Sequence, residues 1–80
     1  MSEHSKVIEE YLLTLYKIDR SGEKAKAVTL ANRLETSPPT VHATISRMQR
    51  DGLVDVKKSK VVSLTKEGQK VAEDIAYRHN

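Results

Sequence analysis

The feature that most constrains the fold is a helix whose two ends are both marked in the sequence, between Ser37 and Gly52. Ser37 is a favoured residue for the position before a helix, and its hydroxyl is predicted to accept a bond from an amide of the first turn. Pro38 at the first helical position gives up only an amide that has no partner inside the helix. Gly52 adopts the left-handed conformation that ends many helices without a Cβ penalty. Three apolar residues share one stripe of this helix: Val41, Ile45 and Met48. The pattern predicts a helix over residues 38–50 with one face against a core.

The opposite face of this helix is small near its beginning and cationic near its end. At about 100° per residue, the face opposite the apolar stripe contains Pro39, Ala43, Ser46 and Arg50, and one shoulder of that outward face contains Thr40 and Arg47. A β-rich arm follows directly. Residues 35–60, which hold this helix and the arm, are called the recognition stretch below.

Two further helices are predicted before the recognition stretch. Residues 5–20 carry apolar side chains at helical spacing, which indicates a long amphipathic helix. Thr29 is predicted to cap a short second helix over residues 30–35, with Val28 as a candidate short strand before it. Thr36 and Ser37 form a tight turn between the second and third helices. This arrangement is a helix-turn-helix.

A hairpin and a last helix are predicted after Gly52. Residues 53–57 and 61–64 are β-rich runs around a polar tip at residues 58–60, which is typical of a hairpin. Thr65 then caps the last helix, whose apolar stripe is predicted to contain Val71, Ala72, Ile75 and Tyr77. The order is helix, helix, helix, hairpin, helix. The predicted fold is mainly α with a small β-hairpin, a winged helix-turn-helix.

Size and composition limit the function of the chain. Eighty residues suffice for one domain with a modest core but not for a core plus an enclosed catalytic cavity, so an enzyme with a small-molecule substrate is not expected. No apolar run approaches the roughly 18 residues of a membrane helix, and the polar N-terminus does not resemble a signal peptide. We therefore expect a cytoplasmic protein. The sequence has no nucleophile next to a base, no glycine-rich phosphate loop and no paired carboxylates, so no motif in it indicates catalysis.

The charge is concentrated in one part of the chain. Residues 36–60 contain five Lys or Arg and two Asp, whereas the rest of the chain has nine residues of each sign, so the net charge of +3 lies within this segment. Such an excess is typical of a surface that binds a polyanion, although a solvated surface has the same composition.

Several motifs resemble one known family. The run TLANRLETSPPTVHATISRMQRDGLVDV, preceded by YLLTLYKI and followed by VSLTKEGQKVAEDIAYRH, resembles the N-terminal winged-helix domain of the diphtheria-toxin-repressor family, the iron- and manganese-dependent repressors. The resemblance covers residues 10–79. Family members continue into a dimerisation domain, so the resemblance implies that residues 1–80 are the DNA-binding portion of a homodimeric repressor.

The candidate DNA-binding residues lie on the outward helix face and on the arm. Hydroxyls can donate to phosphates or base edges, methyl and ring carbons can contact a thymine methyl, and cations can bind phosphates. The candidates are Ser37, Pro39, Thr40, Ala43, Ser46, Arg47, Arg50, Lys58 and Lys60. The resemblance implies that this helix enters the major groove with Ser37, Pro39, Thr40 and Ala43 nearest the bases. Several family members have a larger polar residue in place of Ala43.

The candidate metal ligands are Glu10 and His79. From the residues alone, both are ordinary solvated side chains. The resemblance implies that they bind Fe²⁺ or Mn²⁺, because the family takes one ligand from each of these points and completes its sites from the following helix. A carboxylate and an imidazole suit these ions, but two ligands are too few for a tight site. Manganese-selective members have an acid one turn after Glu10, where this chain has Leu13.

Two other functions are compatible with the same pattern. One is a winged-helix regulator that needs no metal. Another is a winged helix that binds a protein partner, in which case the cations of the recognition stretch are dispensable and duplex DNA is not bound in a salt-dependent way.

Overall fold

A computed structural model describes residues 5–78 as four helices and one hairpin. The elements in chain order are α1 (Lys6–Arg20), α2 (Ala27–Leu34), α3 (Pro38–Arg50), β1 (Val54–Val56), β2 (Val62–Leu64) and α4 (Lys66–Arg78). This order and the antiparallel hairpin confirm the predicted winged helix-turn-helix.

A serine on each side of α1 forms a hydrogen bond to the backbone of the helix. Ser5 precedes the helix, and its Oγ accepts a 3.2 Å hydrogen bond from the Ile8 amide. Ser21 follows the helix and donates from its Oγ to the Ile18 carbonyl at 2.7 Å. The buried side chains of α1 follow the predicted helical spacing: Ile8, Tyr11, Leu12, Leu15 and Ile18.

The predicted start of the second helix was wrong. Helix α2 begins at Ala27 rather than Leu30, so Val28 is helical rather than a strand residue and Thr29 is not a cap. Lys26 precedes the helix without a side-chain bond to it. The Val62 amide donates to the Ala25 carbonyl at 2.7 Å, which makes Ala25 the bridge residue beside the hairpin. This long-range bond places the extended residue at Ala25, and the helix starts two residues later.

The hairpin is shorter than the predicted runs but has the predicted centre. Val54 pairs with Leu64, and Val56 pairs with Val62. The Lys60 amide donates to the Lys57 carbonyl at 2.8 Å across the tip, and Lys60 has φ +68. The wing, as the hairpin with its tip at residues 57–61 is called below, therefore ends in a tight turn with one left-handed residue.

Helix α4 starts as predicted but has a different apolar stripe. The Gly68 amide donates to Thr65 Oγ1 at 3.0 Å, which confirms Thr65 as the cap. Ala72 and Ile75 are buried, whereas Tyr77 is 79% exposed, so its placement in the stripe was wrong. Tyr77 lies two residues after Ile75, and two residues are about 200° of helical rotation, which turns the ring away from the core.

The core lies where α1 packs on α4, with α2, α3 and the hairpin closing it. Leu12, Leu30, Val41, Met48 and Ala72 are fully shielded from solvent. The Tyr11 hydroxyl is also buried and forms no hydrogen bond with any residue from 5 to 78. Within the same residues, no helix has the length and apolar character needed to cross a membrane.

Candidate nucleic-acid interface

The two faces of α3 divide as the spacing predicts. Val41 and Met48 are 0% exposed and Ile45 is 6% exposed. All candidate residues of the outward face are exposed: Ser37, Pro39, Thr40, Ala43, Ser46, Arg47 and Arg50. Helix α3 therefore presents one continuous exposed face, with small polar and apolar residues near its beginning and cations near its end, while its other face completes the core.

The hydroxyl of Ser37 does not cap α3 as predicted. Ser37 occupies the N-cap position with extended backbone, but its side chain makes no capping bond. Instead, Ser37 Oγ and Thr40 Oγ1 share a 2.9 Å hydrogen bond. An N-cap oxygen accepts from the second or third helical residue, but Pro39 at the second position has no amide hydrogen, and Thr40 at the third bonds to Ser37 through its hydroxyl rather than its amide. The first turn of α3 thus presents a pair of exposed hydroxyls beside two proline rings.

The connection from α2 to α3 uses a left-handed residue other than glycine. Glu35 has φ 54, and the amide of Thr36 donates to the Ala31 carbonyl at 3.0 Å. This turn reverses the chain within three residues and sets α3 against α2, as a helix-turn-helix requires.

The cations of the recognition stretch have no acidic partner among residues 5–78. The ion pairs described there join Arg33 to Glu23 at 3.0 Å and Arg78 to Asp74 at 3.8 Å, both outside the recognition stretch. Arg47, Arg50, Lys58 and Lys60 are exposed without such a pair. Unpaired exposed cations leave a positive potential over α3 and the wing that an anionic partner can neutralise.

The wing carries a further cation that was not named among the candidate residues. Lys57 is exposed at the tip, as are Lys58 and Lys60, and its amide donates to the Val61 carbonyl at 3.0 Å. The charge count of the sequence includes Lys57 and was the signal that could have identified it. Its backbone bond fixes the width of the turn that presents the other two lysines.

The candidate metal ligands are only partly described. Glu10 is exposed on α1, and His79 lies outside the described residues. Among residues 5–78 no three His, Cys, Asp or Glu side chains come together as they would around a metal ion. The described residues therefore do not form a complete metal centre.

The chain is similar to known DNA-binding regulators. The family model described as "Iron dependent repressor, N-terminal DNA binding domain" matches residues 3–62. The diphtheria toxin repressor of Corynebacterium glutamicum is 39% identical over 71 residues, which are 89% of this chain and 31% of that protein. The iron-dependent repressor IdeR of Mycobacterium tuberculosis is 37% identical over 79 residues, which are 99% of this chain and 34% of that protein.

A solved structure of a manganese regulator has a similar fold. The structure of the manganese regulator SloR superimposes with a TM-score of 0.79 at 28% identity, and the match covers 90% of this chain and 34% of that chain. The chain spans about a third of the length of the relatives that it matches.

Proposed function

Because the chain belongs to the iron-dependent repressor family through its N-terminal DNA-binding domain, we propose that it binds double-stranded operator DNA sequence-specifically, as the DNA-reading part of a metal-dependent transcriptional repressor. The observation that carries this proposal is the exposed face of α3, whose cations have no acidic partner in the described part of the chain. The proposal assigns the domain a binding role in the cytoplasm and no catalytic step.

The residues of α3 divide into two groups by their chemistry. We propose that the beginning of α3 lies against base edges, because its exposed hydroxyls can donate and its proline and alanine carbons can pack on a thymine methyl. This group is Ser37, Pro39, Thr40, Ala43 and Ser46. Arg47 and Arg50 in the last turns of α3 bind phosphates, and Lys58 and Lys60 on the wing do the same.

The substitution Arg50→Ala tests the phosphate role. We expect weaker binding to every duplex, specific or unrelated, and a slope of log affinity against log salt that is smaller by about one, because one phosphate contact is lost. Affinity is measured by fluorescence anisotropy from about 50 to 200 mM salt, the range over which phosphate contacts change affinity strongly. The probe is a labelled duplex that the wild-type chain has selected from a random pool.

The control for this experiment is Lys70→Ala on α4. Lys70 is exposed, lies outside the recognition stretch and carries the same charge, so its removal should leave the slope unchanged. An unchanged slope for Arg50→Ala would contradict its phosphate role. If wild-type protein binds no duplex in a salt-dependent way, the domain is instead a protein-interaction module.

We also propose that residues 1–80 form one domain of a longer homodimeric protein. The support is that the match covers nearly the whole chain but only about a third of each relative. In a dimer, two α3 helices would meet two half-sites, and their spacing would add to the specificity of the side chains.

For the metal, we propose Glu10 and His79 as two ligands of an Fe²⁺ or Mn²⁺ site that this domain alone does not complete. The family's description is iron-dependent, and a carboxylate with an imidazole suits either ion. We therefore expect weak binding of Mn²⁺ to the 80-residue chain by calorimetry. A submicromolar dissociation constant would contradict the proposal of a partial site. A full-length relative that binds operator DNA without added metal would favour a metal-independent regulator.

A further inference from the structure

The segment Gly52–Leu53, which joins α3 to β1, is held by the start of α4. Thr65 Oγ1 donates to the Gly52 carbonyl at 2.6 Å, and the Thr65 amide donates to the Leu53 carbonyl at 3.0 Å. The same Oγ1 accepts the 3.0 Å bond from the Gly68 amide. One hydroxyl therefore both caps α4 and ties it to the exit of the recognition helix.

Gly68 allows this close approach. It is buried, and a Cβ at this position would collide with the carbonyl group of Leu53. Any larger residue would push α4 and the Gly52–Leu53 segment apart. The glycine is therefore required by the contact between two backbone segments rather than by its own backbone conformation.

The same two residues are also held from the side of α3. The Gly52 amide donates to the Gln49 carbonyl at 3.1 Å, and the Leu53 amide donates to the Met48 carbonyl at 2.9 Å. Gly52 has φ +78, which turns the chain out of the helix. The direction in which the wing leaves α3 is thus fixed by bonds to α3 on one side and to Thr65 on the other.

We propose that Thr65 and Gly68 are positioning residues for DNA recognition: they set the angle between α3 and the wing, and so place Lys58 and Lys60 relative to Arg47 and Arg50. The inference rests on the proposed function. It adds that binding by the wing depends on two residues that carry no charge and touch no DNA.

The short length of the hairpin makes this support necessary. Each strand has three residues, and a two-stranded hairpin is at best marginally stable by itself. Beyond α3 and α4, the hairpin contacts α1 through β2 and has the bridge from Val62, in the same strand, to Ala25. Both contacts lie at the far strand, so they cannot fix the point where the wing leaves α3.

The substitution Thr65→Val tests the inference, because it keeps the shape of the side chain and removes both hydroxyl bonds. We expect the slope of log affinity against log salt to fall by about 1.8, the contribution of two phosphate contacts, at temperatures where circular dichroism shows a folded chain. Thr65→Ser keeps the hydroxyl and should restore the wild-type slope. Thr14→Val on α1, which also replaces a half-buried threonine, should have no effect on the slope.

A double-substitution cycle separates positioning from capping alone. In the wild-type background, Lys58→Ala with Lys60→Ala should lower the slope, whereas in the Thr65→Val background the same pair should change it little. Thr65→Ala, which also lacks the hydroxyl, replaces Thr65→Val in the cycle if the valine variant does not fold. Gly68→Ala should reduce the slope in the same way, with a lower melting temperature.

Two outcomes would overturn the inference in distinguishable ways. If Thr65→Val melts earlier but keeps the wild-type slope and affinity when folded, Thr65 is only a cap and the proposed function stands. If wild-type protein itself shows no salt-dependent binding to duplex DNA, the proposed function fails and the positioning role fails with it.

Discussion

At the scale of single residues, identity alone does not decide whether a hydroxyl caps a helix. Ser5, Ser37 and Thr65 all precede helices and belong to the favoured residue types. Ser5 and Thr65 accept a bond from an amide of the first turn, whereas Ser37 bonds to another side chain. Both caps that form accept from the third helical residue, and the third residue of α3 is Thr40, whose hydroxyl rather than its amide bonds to Ser37. The missing amide of Pro39 removes one alternative donor but does not by itself predict the difference.

This difference predicts unequal costs for two similar substitutions. Ser5→Ala removes a capping bond and should lower the free energy of unfolding by about 1 kcal/mol. Ser37→Ala removes no capping bond and should cost less than about 0.5 kcal/mol, the range of an ordinary surface change, while lowering the affinity for a selected duplex. Urea denaturation measures the first effect and anisotropy the second. Equal costs in urea would show that Ser37 caps α3 in solution.

Tyr11 is a second residue whose chemistry the sequence does not show. Its ring has the spacing of a core residue, but the hydroxyl is buried without a hydrogen bond to any described residue. Leaving a buried hydroxyl unsatisfied costs about 1–3 kcal/mol. Tyr11→Phe should therefore keep or raise the free energy of unfolding, by up to about 1 kcal/mol after the lost packing is counted. A loss above that amount in urea denaturation would mean that the hydroxyl is bound in solution.

At the scale of elements, local patterns were sufficient where local bonds decide the structure. Helix α3 was predicted with both ends because its start, its stripe and Gly52 are all local signals. The start of α2 was not predictable in this way, because the bond from Val62 to Ala25 joins residues 37 positions apart. The exposed position of Tyr77, in contrast, follows from helical rotation and was available in the sequence.

At Lys60 in the wing, we predict a conflict between stability and the proposed contact with DNA. Lys60 has a left-handed backbone, which costs a non-glycine residue about 1–2 kcal/mol. Lys60→Gly should raise the free energy of unfolding by up to about 1 kcal/mol, since part of the gain is offset by the freer unfolded chain. The same change should reduce the salt slope of DNA binding by about one because a cation is lost.

Lys58→Gly is the matched control for this prediction. Lys58 is an exposed lysine of the same turn without a positive φ, so its replacement should lower the salt slope equally and not raise stability. Urea denaturation and anisotropy are measured on both variants. A loss of stability in Lys60→Gly would contradict the strain, and an unchanged slope would contradict the contact with phosphate.

At the scale of the whole molecule, the proposed DNA-binding surface and the proposed metal site are described to different extents. The surface of α3, the wing and the core behind them all lie within the described residues. Glu10 is the one proposed metal ligand among them. The sequence predicted which residues of α3 and the wing are exposed, because charge and helical spacing are visible there. A metal centre depends on side chains from distant points of the chain and is not predictable from such local patterns.

One domain with two to four phosphate contacts should bind DNA weakly. Joining two copies should raise the affinity, by an amount that depends on the spacing between two half-sites on the DNA. Fusing a parallel coiled coil after residue 80 makes the second binding event intramolecular, which should tighten binding by about 10²–10⁴-fold. The gain should occur only when two half-sites are separated by about one helical turn, 10–10.5 base pairs, or a multiple of it, because both α3 helices then meet the same face of the duplex. Adding about half a turn, five base pairs, should abolish most of the gain.

A fusion to a coiled coil that stays monomeric is the control, measured by anisotropy on the same duplexes. An equal gain at every spacing would mean that binding is purely electrostatic, since contacts to base edges require each α3 helix to face the groove.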